Sequence, residues 1–269
     1  MKLAVMTSRS LRHHFYLDAL AAKHEVVACV RETKRDLVQE SAGDEPAVMR
    51  EHLAERDAAE QRYFGAYAAP ACDRVLDVAS GESNTPRVFD FLEAAGPDAV
   101  MLFGTSIIEP PVLSHYEGRI INLHLGLSPY YRGTASLFWP LVNGAPECVG
   151  ATIHHAILRV DAGALLHQVR PDLSPSDGAH DIGCKTVIAA AAGVLALLAV
   201  AEESGLPAGR EQARGGGLLY RRRDFSAEAV TRLRANLAAG MVPDYLAARA
   251  ERDSAYPLVE LLAAGADEC

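Results

Sequence analysis

The stretch IINLHLGLSPYYRG, residues 120–133, decides the reading of this chain. Its first half is an apolar run of Ile120, Ile121, Leu123 and Leu125, interrupted by Asn122 and His124. Residues two apart on a strand point to the same face. The run breaks at Gly126, where a strand end would present both groups to a ligand. A second block, GATIHHAILRVDAG at residues 150–163, repeats the strand signal, carries Asp161 and ends on Gly163, which predicts a tight turn beside it. One Asn-x-His on a strand is ordinarily a satisfied polar pair. Two polar blocks of this length inside apolar sequence point instead to a site. An amide, an imidazole and a carboxylate that converge suit acyl transfer. The amide donates to a developing oxyanion, the imidazole polarises or protonates it, and the carboxylate handles the proton of an attacking amine.

Working outward, residues 2–6 and 26–30 read as buried strands, with helical spacing over 11–23 between them. Residues 74–78, 99–103 and 119–123 repeat the strand signal, separated by helical stretches near 86–95 and 109–115. Strands alternating with helices predict an α/β fold, a doubly wound and mostly parallel sheet. The ligand site of such a sheet lies at the carboxyl ends of its strands, where Asn122 and His124 fall. Residues 32–59 are polar and poor in aromatics, which predicts a helix and loop on the surface. Residues 135–143 predict a short helix containing Trp139 in the core. Strands are expected over 149–158 and 164–169, and a long Ala-rich helix over 177–204. The expected domains are a main domain over 1–204, a Gly- and Pro-rich linker over 205–217, and a small C-terminal subdomain or helical extension over 218–269.

Composition narrows the class. Of 269 residues, 49% are hydrophobic and 23% charged, ordinary for a soluble globular protein. The net charge of −9 argues against a nucleic-acid partner, because phosphate binding relies on clustered Lys and Arg. The five cysteines, Cys29, Cys72, Cys148, Cys184 and Cys269, are scattered, with no C-x-x-C. That fits a reducing cytosol, so a cytoplasmic location is expected. The N-terminal apolar run is too short for a signal peptide. The most apolar segment, 187–201, falls short of the ~20 residues that span a bilayer and reads as a buried helix. No membrane association is expected.

The two blocks resemble the catalytic core of the formyltransferases that use 10-formyltetrahydrofolate. The pattern of that family, an Asn-x-His followed by a Leu/Ser-Pro-x-Tyr/Phe-Arg-Gly loop, is met by Asn122, His124, Ser128, Pro129, Tyr131, Arg132 and Gly133. Its later Thr-x-His, Asp and Gly are met by Thr152, His154, Asp161 and Gly163. The resemblance implies a Rossmann-like formyltransferase core over 1–204, with Asn122, His124 and Asp161 as catalytic residues. It implies 10-formyltetrahydrofolate as formyl donor, held by Phe103, Gly104, Ile107, Ile108, Val160 and Asp161. Ser128, Tyr131, Arg132, Gly133 and His154 become loop or substrate residues. Ser8, Arg9 and Ser10 follow the first strand without the G-x-G-x-x-G of a dinucleotide site, which argues against NAD. They either bind an anion at a helix N-terminus or simply cap the helix.

The expected acceptor is a primary amine of a small molecule: a nucleotide-linked amino sugar first, an amino-acid-derived amine second. A homodimer is compatible with this reading. Three other readings stay open: a formyltetrahydrofolate hydrolase using the same set, a methionyl-tRNA formyltransferase-like enzyme, and a non-catalytic folate- or nucleotide-binding module. No metal is expected. His155 and the pair His13–His14 are expected at the surface, and none has ligand spacing with a supporting carboxylate. His180-Asp181, which imitates a metal-dependent phosphohydrolase signature, opens the long helix and is read as part of its cap. Arg221, Arg222 and Arg223, the only basic run, are read as a solvated face.

Overall fold

The computed structural model describes residues 1–33, 46–212 and 217–260. Within these, the chain runs β1 (Lys2–Thr7), α1 (Leu11–Ala21), β2 (Glu25–Glu32), α2 (Ala47–Phe64), β3 (Val75–Val78), α3 (Pro86–Glu93), β4 (Ala99–Phe103), α4 (Val112–His115) and β5 (Ile120–His124). It continues with β6 (Tyr131–Gly133), α5 (Phe138–Val142), β7 (Ala151–His155), β8 (Leu165–Val169) and α6 (Ala179–Ser204). The tail adds β9 (Leu218–Tyr220), α7 (Ala227–Ala238), α8 (Met241–Ala247) and α9 (Arg249–Ser254).

Seven strands form one sheet in the order β3-β2-β1-β4-β5-β7-β8. Neighbours among the first five are parallel, whereas β7 runs antiparallel to β5 and β8 antiparallel to β7. The doubly wound, mostly parallel sheet expected from the sequence is therefore present. Covered on both faces, its middle strand β4 is apolar throughout, as buried parallel strands tend to be. All five residues of β4 are buried, and each fully buried aliphatic side chain contributes about 1.5–3 kcal/mol. The chain reverses its winding between β1 and β4, so a crevice opens at the carboxyl ends of those strands.

Helix α6 is the structural spine. At 26 residues it is long and apolar enough to cross a bilayer. Instead it buries Val187, Ala190, Val194, Leu197 and Leu198 against β7, β8, α1 and α2. Its start is capped by Asp181, whose Oδ2 accepts the Gly178 N–H at 3.1 Å. The tail helices pack on α5: Val230, Leu233, Met241 and Tyr245 share a core with Phe138, Trp139 and Leu141. Trp139 lies 5% exposed, its indole stacked on Tyr220 of β9 at 4.0 Å.

One expectation needs correction. The stretch 32–59 is not a surface excursion where it is described. Residues 34–45 lie outside the described residues, but α2 buries Met49, His52, Leu53, Ala59 and Phe64 and packs against α1, α6 and α7. The many charges on its outer face mask that apolar stripe in sequence. Of the expected linker, 213–216 lie outside the described residues, as do 261–269 with Cys269.

Candidate active site

A cleft of about 620 Å³ opens at the carboxyl ends of β4 and β5, and Asn122, His124 and Asp161 all line it. Asn122 and His124 share one face of β5 by strand alternation. Antiparallel pairing sets Asn122 opposite His154 and His124 opposite Thr152. Across that first pair the Asn122 amide Nδ2 donates to His154 Nε2 at 3.0 Å. His154 Nδ1 in turn donates to the His155 carbonyl at 2.8 Å. The His154 ring thus orients the amide and leaves the amide's second N–H for the cleft.

Asp161 reaches the same point from the β7–β8 connection. Its Oδ1 lies 3.3 Å from His124 Nδ1 and 3.8 Å from His154 Nε2. Oδ2 accepts the Gly133 N–H at 3.4 Å. Its backbone is left-handed, φ 49°, a conformation that Asp tolerates better than most residues but still at a cost. Two supports hold the turn. Gln212 Nε2 donates to the Asp161 carbonyl at 2.9 Å and to the Gly163 carbonyl at 2.7 Å. Gly163 is required because a Cβ there would fall onto the His155 carbonyl oxygen.

The electrostatics divide the roles. Burial tends to raise the Asp161 carboxyl, but His124, His154 and the Gly133 amide outweigh it and hold the group at about 2. Asp161 is therefore ionised. Burial pushes His124 below the ordinary histidine value, and Asp161 only partly opposes that. The neutral ring has one N–H to share between two acceptors, Asp161 Oδ1 and the Tyr131 carbonyl at 3.3 Å from Nε2. A carbonyl can only accept, so Nε2, in hydrogen-bonding geometry with Tyr131, carries the N–H and is a donor.

The loop after β5 is locked from below. Thr152 Oγ1 donates to the Gly126 carbonyl at 2.6 Å and accepts from the Ser128 N–H at 3.0 Å. Gln168 Nε2 donates to the Ser128 carbonyl at 2.7 Å. Ser128 is therefore buried in loop support, and Arg132 lies on β6, outside the cleft lining. Tyr131, also outside it, binds Asn143 through its hydroxyl and stacks on Tyr220. Gly133 lines the cleft.

Of the residues expected to hold a cofactor, Phe103, Gly104, Ile107, Val160 and Asp161 line the cleft, and Ile108 is buried behind it. Ile107 and Val160, 51% and 47% exposed, form apolar lips that suit a flat ligand. The Cβ side of Gly104 is taken by the His13 ring, with Nε2 2.6 Å from where a Cβ would sit. His13 and His14 are thus not surface residues: they are 2% and 5% exposed, because α1 turns His13 onto Phe103 of β4 and His14 toward Arg31 of β2. Ser8 Oγ lies 2.6 Å from His13 Nδ1, and Arg9 pairs with Asp77 at 3.4 Å. Ser10 stands at the N-cap of α1 without a side-chain cap bond. None of the three lines the cleft. His155 is half-buried and bonds the Pro207 carbonyl at 2.8 Å.

Two supports were not foreseen. Gln212 falls in the stretch expected to be a linker. Glu32, wholly buried, accepts from Ser106 N at 2.7 Å and Oγ at 2.5 Å, from Gly81 N at 2.7 Å and from Ser83 Oγ at 3.0 Å. It therefore ties the loop after β4, which carries Gly104 and Ile107, to the loop after β3. The only signal in sequence was an acid ending an apolar strand.

A family model described as formyl transferase matches residues 1–197. Among solved structures, a sugar N-formyltransferase from a Shewanella species is similar at a TM-score of 0.54 and 12% identity, over 88% of this chain and 87% of that one. The N-formyltransferase from Helicobacter canadensis, in complex with folinic acid and dTDP-3-aminofucose, is similar at 0.54 and 11%, over 88% and 80%. A phosphoribosylglycinamide formyltransferase from Anaplasma phagocytophilum is similar at 0.51 and 17%, over 82% and 98%. At such identities the likeness is one of fold.

Proposed function

The chain belongs to the formyl transferase family, and on that premise we propose that it moves a formyl group from 10-formyltetrahydrofolate to a primary amine of a small molecule. The observation that carries the reading is the convergence of Asn122, His124 and Asp161 on one cleft. The amine nitrogen attacks the formyl carbon, and the carbonyl becomes a tetrahedral oxyanion. The Asn122 amide N–H donates to that oxygen, a type of contact worth ~10²–10³ in rate. His124, as a donor, stabilises the same negative charge, and the ionised Asp161 accepts the amine proton, directly or through water. Collapse breaks the bond to the folate N10, and the proton passes to that leaving nitrogen. Position and charge carry the rate, with no covalent enzyme intermediate.

The acceptor we favour is a nucleotide-linked amino sugar, with an amino-acid-derived amine second. Two observations support it. The Helicobacter canadensis protein of this fold holds such a sugar beside a folate. Here Arg12 and Arg56 line the cleft, each paired with a carboxylate, Glu60 and Asp57, that the phosphate of an acceptor would displace.

Formylation of an amine panel, followed by mass spectrometry, tests the reading. A formylated nucleotide-linked amino sugar is the expected product. Formate release without any amine would make the protein a hydrolase, and binding without turnover a folate-binding module. Folinic acid at ~100 times its Kd should stabilise the protein by about 2.7 kcal/mol, and NAD should not.

A further inference from the structure

His52 and Glu55, one turn apart on α2, meet His180 from the first turn of α6. The ligand atoms of all three lie within 4.8 Å of one another. The two imidazole centroids are 4.5 Å apart, and His180 Nε2 stands 4.0 Å from Glu55 Oε2. That Nε2 is buried and has no hydrogen-bond partner. A buried ring nitrogen without a partner is uncommon in a folded protein and asks for an explanation.

We propose that His52, Glu55 and His180 form a binding site for a borderline divalent cation, Zn²⁺ first. Two imidazoles and a carboxylate are the donor set such ions take when one coordination position stays open. Ligand bonds of about 2.0–2.2 Å place donor atoms roughly 3.3–3.5 Å apart around a tetrahedral ion. Closing the cluster from 4.8 Å therefore needs a shift of little more than an ångström. Rotation of the two rings and of the exposed, long Glu55 side chain, whose Oε1 accepts from Arg234 at 2.9 Å, shares that shift.

The two guanidiniums beside the cluster do not forbid a cation. Arg56 is paired with Asp57 at 2.9 Å and Arg234 with Glu51 at 3.0 Å. His52 and His180 also line the cleft, so the open position faces it, for water or an oxygen of a bound acceptor. Spacing along the chain gives no hint of this site, because α2 and α6 bring its halves together only in the fold. The site lies apart from the chemistry at Asn122, His124 and Asp161, and its test reads binding alone.

Protein stripped with a chelator and dialysed is titrated with Zn²⁺ against a chromophoric chelator. His52→Ala, His180→Ala and Glu55→Gln are run beside it, with exposed His115→Ala as control. Wild type and the control should bind one tight equivalent and melt higher with it. The two alanine variants should bind at least ~100-fold more weakly, since even an outer-shell partner costs 10–100-fold. No tight equivalent in wild type, or one that survives both histidine substitutions, overturns the site. Should the alanine variants fail to fold, Glu55→Gln decides alone, and unchanged affinity there overturns it.

Discussion

Asn122 performs its task only because a neighbour holds it. Its amide spends one N–H on His154 and keeps the other for the cleft. Replacing it by alanine should cut kcat ~10²–10³-fold while leaving the Kd for folinic acid nearly unchanged, measured by steady-state kinetics and titration. His154→Ala removes the orienting partner and should cost less. His124 predicts a pH profile. Burial lowers its pKa from 6.5, so the neutral ring persists below that pH. Protonating the ring would engage the Asp161 carboxylate 3.3 Å away, so the acid limb of kcat/KM should fall below pH 6.5, and a limb above it would show that a different group titrates.

At the scale of elements, the β7–β8 connection decides where the carboxylate sits. Its turn combines a left-handed Asp161, a sterically obligatory Gly163 and two carbonyls held by Gln212. Gln212→Ala frees those carbonyls without emptying any core. We expect kcat to drop ~10-fold or more, since small misplacements of reacting groups are costly, while the melting temperature changes little. Gly163→Ala should lower both, because the added methyl forces β7 and the turn apart. The motif around Asp161 was legible because Asp and Gly stand at fixed spacing after an apolar run. Gln212 was not, since a lone glutamine in a Gly-rich stretch carries no period.

Over the whole molecule, burial of neutral histidines sets a common pH response. Burial lowers His14, His52, His124, His167 and His180, the second and fifth to about 4. Their folded values lie below the unfolded 6.5, so the unfolded chain takes up protons first as pH falls. Stability should be full above about pH 6.5 and decline steadily toward pH 4. Asp161, held at about 2 from an ordinary 3.8, adds a further loss only below about pH 4. Thermal melts of metal-free protein across this range check the prediction, and a melting temperature that rises on acidification would refute it.

The sequence by itself determined the alternation of strands and helices, the parallel sheet and the facing of Asn122 with His124. Each follows from local period: side chains two apart on a strand share a face, and runs without polar residues must lie inside. Only the tertiary structure decided the rest. The antiparallel register that sets His154 against Asn122 is a choice between strands, and no spacing within one strand encodes it. Helix α2 looked superficial because its charges outnumber its buried stripe, yet packing turns that stripe inward to wall the cleft. Glu32 and Gln212 act through bonds to backbone groups distant in the chain. Such bonds accept whatever backbone the fold delivers, so they leave no pattern in the sequence that makes them.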